Sequence, residues 1–299
     1  MTIDDELLAA IVAIETDASL LLEGHFISRT EALDLLEFPI LEMLESSLQH
    51  GEVSPERLQW KARAIVIRQS LGAIQERVFR GLQKEIRDGT LRGPQFMQKM
   101  LEFVPTAYFP DLQEEGYDYL DDWINGVLPI TGVPEQTKEP GPEMVFYQKT
   151  PARVVLETVR QLALGKEDVF FDIGSGLGQV CMLVHLLTGA PCTGIELEPA
   201  FCACAAEAAL DLQLPGVTFL NMDARQADYA AGTVFFLYTP FRGQLLRQVL
   251  ERLRLESLHR KIRVVTYGPC TMEVAKQDWL SPSLSLAEVP GTIGVFQSA

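Results

Sequence analysis

Three glycines at alternate positions are the residues with the clearest chemical potential in this sequence. An apolar run leads into Asp172, and Gly174, Gly176 and Gly178 follow before a second apolar segment. This order predicts a buried strand, a tight turn and the N-terminus of a helix. Glycine lets the backbone approach a ligand closely, and the free N–H groups of a helix start can hydrogen-bond that ligand.

The residues around these glycines disfavour two common phosphate-binding patterns. A dinucleotide fingerprint, G-x-G-x-x-G, needs glycine or alanine at its sixth position, where Gln179 and Cys181 stand when counting starts from Gly174 or Gly176. The G-K-[ST] element of a Walker loop is absent. The pattern D-x-G-x-G-x-G instead resembles motif I of the class I methyltransferases, which use S-adenosylmethionine (SAM).

Strand and helix patterns alternate from Asp168 onward, which predicts an α/β domain with a parallel sheet between two layers of helices. The predicted strands are residues 169–173, 192–197, 217–221, 233–238 and 263–267, then a hairpin of 284–289 and 292–297. The resemblance implies a doubly wound class I methyltransferase sheet of seven strands, the last antiparallel. We expect this SAM-binding domain to cover residues 143–299.

The residues before this domain favour helices. Apolar residues at helical spacing predict an all-α N-terminal domain over 1–135, which would cap the site, recognise the substrate or form a homodimer. Residues 129–142 are rich in proline and glycine and predict a linker. The aromatic and acidic residues 105–123 either pack normally or form a lid that presents Tyr117, Tyr119 and Trp123 to the second domain.

Polar residues at the predicted strand ends suit a nucleoside ligand, because ligands of open α/β sheets bind beyond the carboxyl ends of the strands. Glu196 closes strand two, where a carboxylate can accept both ribose hydroxyls. Asp223 follows strand three, where the resemblance implies an acidic residue near the adenine amine. Leu197 and Met222 would flank the adenine ring.

The helix before strand one is predicted to begin with Thr150 as its N-cap and Pro151 as its first residue. The resemblance implies that the preceding loop, with Tyr147, closes over the methionine end of SAM, while Asp172 orients the glycine loop. The predicted cofactor-binding residues are Tyr147, Gln148, Thr150, Asp172, Gly174, Ser175, Gly176, Gly178, Glu196, Leu197, Asp223 and Ala224.

Strand four ends in Tyr238-Thr239-Pro240-Phe241. This is similar to the Asn/Asp-Pro-Pro-Tyr/Phe motif of many amino methyltransferases, and the resemblance implies that Tyr238 and Thr239 lie beside the transferred methyl group as catalytic residues. Thr239 replaces the usual amide or acid, which argues against transfer to the amino group of a nucleic-acid base.

The stretch D-I-G-S-G-L-G-Q-V is similar to motif I of the non-SET histone-lysine methyltransferases. Two of their features, an Asn-rich motif IV and a basic nucleosome-binding tail, are missing. The resemblance therefore implies the SAM site and not the histone substrate.

Composition limits the partners. A formal net charge of −16 over 299 residues argues against nucleic acid, and the one strongly basic stretch, 242–263, fits a solvated helix face. The five cysteines include no CxxC pair, so we expect neither a metal site nor disulfides. The acidic N-terminus is unlike a signal peptide, and no apolar run has membrane-spanning length. These features predict a cytoplasmic protein.

The sequence thus predicts a SAM-dependent methyltransferase that acts on a nitrogen or oxygen atom of a small-molecule or protein substrate, with S-adenosylhomocysteine as product. A catalytically silent SAM-binding protein with a helical interaction domain is the alternative. A dinucleotide oxidoreductase is a third hypothesis, which the incomplete glycine fingerprint disfavours.

Overall fold

The computed structural model describes residues 3–49, 54–112, 114, 116–139, 141–283 and 293–299. The chain divides into two compact units. The first consists of Met1–Leu82 and Lys99–Thr106, and the second of Gln83–Gln98 and Ala107–Ala299. The domain assignment 1–135 and 143–299, and the role given to the helical part, stay predictions.

The first unit is helical in its described residues. It contains α1 (Ile3–Thr16), α2 (Phe26–Leu35), α3 (Glu42–Gln49), the first part of α4 (Pro55–Arg87) and the end of α5 (Pro94–Phe103). A π-helical turn containing Pro39 joins α2 to α3, as expected where proline cannot donate the regular α-helical hydrogen bond. Apolar residues at helical spacing, among them Ile11, Leu36 and Leu71, form the core of this unit.

The second unit is built on a seven-stranded sheet with the order β3-β2-β1-β4-β5-β7-β6. Strands β1 to β5 are parallel, and β7 runs antiparallel to both β5 and β6. Its elements are α6 (Tyr119–Val127), α7 (Ala152–Leu162), β1 (Phe170–Ile173), α8 (Gln179–Thr188), β2 (Cys192–Glu196), α9 (Pro199–Asp211), β3 (Val217–Asn221), β4 (Val234–Tyr238), α10 (Gly243–Ser257), β5 (Arg263–Tyr267), α11 (Thr271–Val274), β6 (Leu280–Pro282) and β7 (Gly294–Ser298). The predicted class I methyltransferase-type sheet is confirmed.

The central strands are apolar because helices cover both faces of the sheet. All four residues of β1 are buried. The ring of Phe171 lies 5.5 Å from that of Phe235 on β4 and 5.8 Å from that of Tyr229. Strand order reverses between β1 and its neighbours β2 and β4, so a crevice opens beyond their carboxyl ends, where such sheets bind ligands.

The C-terminal hairpin differs from its prediction. The predicted strand 284–289 and the turn after it lie outside the described residues. The strand that pairs with β7 is β6, at Leu280–Pro282, and β7 itself begins at Gly294. The short apolar periodicity of this region did not identify β6, since Pro282 and the serines around it are poor strand formers.

A buried carboxylate joins α6 to α7. Asp118 and Asp121 form a reciprocal capping box at the start of α6, and the other oxygen of Asp121 accepts a hydrogen bond of 2.8 Å from the N–H of Ala152. The prediction of Thr150 as the N-cap of α7 is therefore wrong: the cap residue is Pro151, which makes no side-chain bond. A residue distant in sequence caps the helix in place of Thr150.

We expect Asp121→Ala to lower the free energy of unfolding by about 2–4 kcal/mol, because a lost cap costs about 0.5–2 kcal/mol and a buried donor left unpaired about 1–3 kcal/mol. Urea unfolding at neutral pH measures this. Glu167→Ala is the control, because the Glu167 side chain is 90% exposed. A loss of less than about 0.5 kcal/mol for Asp121→Ala would contradict the bridging role.

Candidate active site

A cavity of about 1060 Å³ lies beyond the carboxyl ends of the parallel strands in the second unit. This volume is at the upper end of the range of about 300–1,000 Å³ for small-molecule sites. The segments that follow five strands each contribute lining residues, among them Gly174, Glu196, Asp223, Tyr238 and Gly268. The ends of these strands therefore meet at one cavity, as the sequence predicts.

The turn after β1 requires glycine. Gly174 and Gly176 have φ of 83° and 52°, in the left-handed region that favours glycine. A Cβ on Gly174 would lie 2.2 Å from Pro240, and one on Gly176 would lie 2.3 Å from the ring of Tyr147. The turn is thus packed against Pro240 at Gly174 and covered by the Tyr147 ring at Gly176.

Glu196 at the end of β2 ties the glycine turn to the start of α9. One oxygen accepts a bond of 2.8 Å from the N–H of Gly176, and the other accepts one of 2.8 Å from the N–H of Glu198. Burial raises the pKa of Glu196, although these hydrogen bonds partly oppose the rise. Each carboxylate oxygen has a second lone pair, so the group can still accept bonds from a diol in the cavity.

Glu198 has a structural role, since its side chain caps α9 by accepting a bond from Ala200. It also accepts bonds of 2.7 Å from the Thr137 hydroxyl and 3.0 Å from the Lys138 N–H. Burial opposes ionisation, but these hydrogen bonds outweigh it and lower the pKa of Glu198 to about 2. The segment predicted as a linker is thereby fixed against the strand end that carries Glu196.

Asp172, on β1, is a buried carboxyl beneath the glycine turn. Burial, and secondarily the charge of Glu196, raise the pKa of Asp172 to about 8. Buried acids with raised pKa values are frequent at functional sites.

Two buried polar atoms beside the turn have no hydrogen-bond partner among the described residues: Oγ of Ser175 and Oε1 of Gln179. The Gln179 amide donates a 3.4 Å bond to the carbonyl of Thr150. Unpaired buried polar atoms are costly and call for a ligand or water. Gln179 was not among the predicted cofactor-binding residues, although its position directly after the last glycine of the turn could have indicated such a role.

The adenine-side prediction concerns Asp223 and its neighbours. Leu197, Met222, Asp223 and Ala224 all line the cavity. Asp223 forms a 2.6 Å ion pair with Arg225 and accepts a 2.9 Å bond from its N–H. The side-chain hydrogen bond of Arg225 lowers the pKa of Asp223.

The residues before α7 form another wall. Glu143 accepts bonds of 2.8 and 2.9 Å from the N–H groups of Gln244 and Leu245, which caps the N-terminus of α10. Tyr147 lies over Gly176, with its ring 5.3 Å from that of Phe201, and burial raises the pKa of Tyr147. These contacts fix both ends of residues 143–147 against the cavity.

Tyr238 and Thr239, predicted as catalytic, line the cavity after β4. The Tyr238 ring lies 5.0 Å from that of Tyr267, and burial raises the pKa of Tyr238 to about 12. The Thr239 hydroxyl donates to the carbonyl of Tyr267 (3.2 Å) and accepts from the N–H of Cys270 (3.3 Å). Thr239 has a φ of 35°, a strained conformation for a β-branched residue.

The aromatic segment before α6 contributes Tyr117, which lines the cavity and donates a 3.0 Å bond to the carbonyl of Lys149. The lid hypothesis is wrong for Trp123, which is fully buried with its ring 5.6 Å from Phe96. The ring of Tyr119 lies 5.9 Å from that of Tyr108.

The buried side chain of Arg153, on α7, holds the loop that carries Tyr117. Its guanidinium donates hydrogen bonds to the carbonyl of Gly116 (3.0 Å), the carboxylate of Asp118 (3.0 Å) and the carbonyl of Glu114.

The predicted site residues fall into two groups. Those that line the cavity are Tyr147, Gln148, Gly174, Glu196, Leu197, Asp223, Ala224, Tyr238 and Thr239. Those that are buried and do not line it are Thr150, Asp172, Ser175, Gly176 and Gly178. Other lining residues, which were not predicted, include Lys138, Phe146, Arg153 and Gly268. Phe146 stands next to the predicted Tyr147, whereas the other three lie in no recognised motif.

One protein-family model matches part of the second unit. The family model of the histone methylation protein DOT1 matches residues 139–258, which confirms the resemblance carried by the glycine motif. No curated protein matches the chain significantly.

Several solved structures are similar in part. An RNA methyltransferase from Salinibacter ruber in complex with S-adenosyl-L-homocysteine has 22% identity, covers 50% of this chain and 92% of its own, and has a TM-score of 0.40. The putative methyltransferase yhhF from Escherichia coli has 19% identity, 53% and 90% coverage and a TM-score of 0.40. Precorrin-6y C5,15-methyltransferase from Geobacter metallireducens has 15% identity, 52% and 92% coverage and a TM-score of 0.39.

The described residues contain no group of three or more His, Cys, Asp or Glu side chains arranged to hold a metal ion. No helix within the same residues has the length and apolar character that crossing a membrane requires.

We expect Asp172→Asn to be more stable than the parent protein at about pH 8, with a difference that fades toward about pH 4. With a pKa of about 8 in the folded protein and an ordinary value of 3.8, Asp172 penalises folding increasingly as the pH rises through this window. The penalty grows by at most about 1.4 kcal/mol per pH unit. Urea unfolding across this range measures it.

Asp223→Asn is the control with the opposite sign. Because Arg225 lowers the pKa of Asp223, this carboxylate stabilises the fold above its ordinary pKa, and the contribution disappears as the pH falls through the lowered value. A stability difference for Asp172→Asn that does not change with pH would contradict the assignment of a desolvated carboxyl.

Proposed function

We propose that this protein is a SAM-dependent methyltransferase that transfers a methyl group to a nitrogen or oxygen atom of a small-molecule or protein substrate. The observation that carries the proposal is the double anchoring of Glu196. Its carboxylate binds the glycine turn on one side and the start of α9 on the other, and it faces a cavity large enough for a nucleoside. The DOT1 family match over residues 139–258 supports the same function.

The residues around the cavity fit SAM at three points. The Glu196 carboxylate would accept the ribose hydroxyls, and Leu197 and Met222 would flank the adenine ring. The glycine turn offers a narrow cradle for the amino-acid end, where Ser175 and Gln179 have unpaired buried polar atoms. Asp172 supplies a negative potential beneath that turn once it is ionised. When bound, SAM would supply the electrophilic methyl group.

The side of the cavity near β4 would receive the acceptor. Burial raises the pKa of Tyr238 to about 12, so its hydroxyl stays protonated at neutral pH and can donate a hydrogen bond to the acceptor. The Tyr117 hydroxyl already donates to the carbonyl of Lys149, so it offers the acceptor only its lone pairs. Thr239 would act through its main chain and its fixed, strained conformation, because its hydroxyl is engaged by Tyr267 and Cys270. In-line transfer depends mainly on such positioning and on the exclusion of water.

The second candidate is a catalytically silent SAM-binding protein whose helical part is the working element. The engagement of the Thr239 hydroxyl favours it, because this position then offers no free polar side chain to the reaction. Release of S-adenosylhomocysteine from SAM in the presence of any acceptor would exclude this alternative. Dimerisation through the helical part, a cytoplasmic location and the lack of a nucleic-acid partner also stay proposals, the last supported by the net charge of −16.

Titration calorimetry with SAM, S-adenosylhomocysteine and NAD tests the proposal. We expect the first two to bind and NAD not to bind. Glu196→Ala should weaken SAM binding about 10- to 100-fold, since hydrogen bonds to a charged group contribute about 1.5–3 kcal/mol.

Glu207→Ala on the exposed side of α9 is the matched control and should bind SAM like the parent protein. Circular dichroism must show that both variants are folded, because Glu196 also supports the glycine turn. Binding of NAD with no binding of SAM would overturn the proposed function and favour a dinucleotide enzyme.

A further inference from the structure

A second, smaller depression lies beside the cavity. It has a volume of about 390 Å³ and is lined by Arg225, Gln244, Arg247, Gln248, Glu251 and Arg252. We call it the arginine groove. Residues 244, 247, 248 and 251 share one face of α10 through their spacing of three and four. The groove adjoins the proposed active site, because Arg225 lines both.

The groove is positively charged within a strongly acidic chain. Arg247 and Arg252 are exposed, and no carboxylate among the described residues lies within 4.0 Å of their charged nitrogens. Arg247 nevertheless lies near enough to Glu143 and Glu273 for its charge to help lower the pKa of both carboxylates.

The carboxylates nearest to the groove already have partners. Glu251 receives two bonds from Arg254, at 2.8 and 2.7 Å. Glu143 caps α10, and Glu273 pairs with Lys276 at 2.7 Å. Arg225 is partly neutralised by Asp223. Counting the four lining charges with Asp223, Arg254, Glu143, Glu273 and Lys276 leaves an excess of about one positive charge.

The two free arginines are partly held in place. The Arg252 guanidinium donates a 2.8 Å bond to the carbonyl of Ala227, and Nε of Arg247 donates a 3.2 Å bond to the side chain of Gln244. Each bond uses one donor of a five-donor group. The remaining N–H groups stay available in a partly ordered orientation, which lowers the entropy lost when a ligand binds.

We propose that the arginine groove binds a phosphate monoester carried by the methyl acceptor. Planar guanidiniums recognise phosphate with paired hydrogen bonds, and two of them match the double charge of a monoester. The small volume suits one compact anion, while the acidic remainder of the protein would repel an extended nucleic-acid backbone. The link to the acceptor rests on the proposed function; the anion site itself does not.

Phenyl phosphate is the probe, titrated at constant ionic strength while the arginine Nε–H signals are followed in ¹H–¹⁵N NMR spectra. We expect saturable shifts of the Arg247 and Arg252 signals with a dissociation constant on the order of 1 mM. The double variant Arg247→Gln/Arg252→Gln should bind at least about tenfold more weakly. Arg160→Gln on α7, which changes an exposed arginine that lines neither the groove nor the cavity, should bind phenyl phosphate like the parent protein.

Two results would overturn the proposal. One is the absence of saturable shifts, or equal binding by the double variant. The other is a single-stranded oligonucleotide that binds at the same residues more tightly than phenyl phosphate, which would make the groove a nucleic-acid surface. SAM titration of the double variant separates the two proposals: unchanged SAM binding with lost phosphate binding supports both, whereas phosphate binding without SAM binding contradicts only the proposed function.

Discussion

The candidate site depends on one carboxylate that is bonded from two sides. Glu196 accepts an N–H from the glycine turn after β1 and another from the start of α9. Both donors are backbone N–H groups of buried residues near helix starts, and a buried N–H group needs a hydrogen-bond partner. The same interaction therefore closes the turn, orders the end of β2 and holds a desolvated negative charge at the cavity wall. A neutral side chain at this position would form weaker hydrogen bonds to both N–H groups and would place no charge at the cavity wall.

The wall opposite the sheet is held by contacts that cross large distances in sequence. Thr137 and Lys138 bond to Glu198, Glu143 caps α10, and Tyr147 covers Gly176. These three attachments fix a segment that has little regular secondary structure of its own. They explain how a proline- and glycine-rich stretch can line a binding cavity. Its polar groups form hydrogen bonds with residues at the starts of α9 and α10 instead of belonging to a helix or strand.

Local patterns were sufficient to predict the parallel strands β1 to β5 and the glycine turn. Apolar runs mark buried parallel strands, and Gly174 and Gly176 stand where the backbone must adopt positive φ. The Asp121 bond to Ala152 and the Glu143 cap of α10 could not be predicted, because each joins residues separated by tens of positions. Trp123 illustrates the same limit: its burial against Phe96 depends on packing that no periodicity encodes. The position of Gln179 directly after the last glycine could have marked it as a site residue. That its side-chain oxygen is buried without a partner is seen only in the structure.

The most direct test of the account is a crystal structure of the protein with S-adenosylhomocysteine. We expect the ribose hydroxyls on the Glu196 carboxylate and the adenine between Leu197 and Met222. The amino-acid end should lie at the glycine turn and hydrogen-bond Ser175 and Gln179. The sulfur would then face Tyr238 and Thr239. A ligand bound outside this cavity, or a cavity that stays empty at saturating concentration, would contradict the assignment of the site.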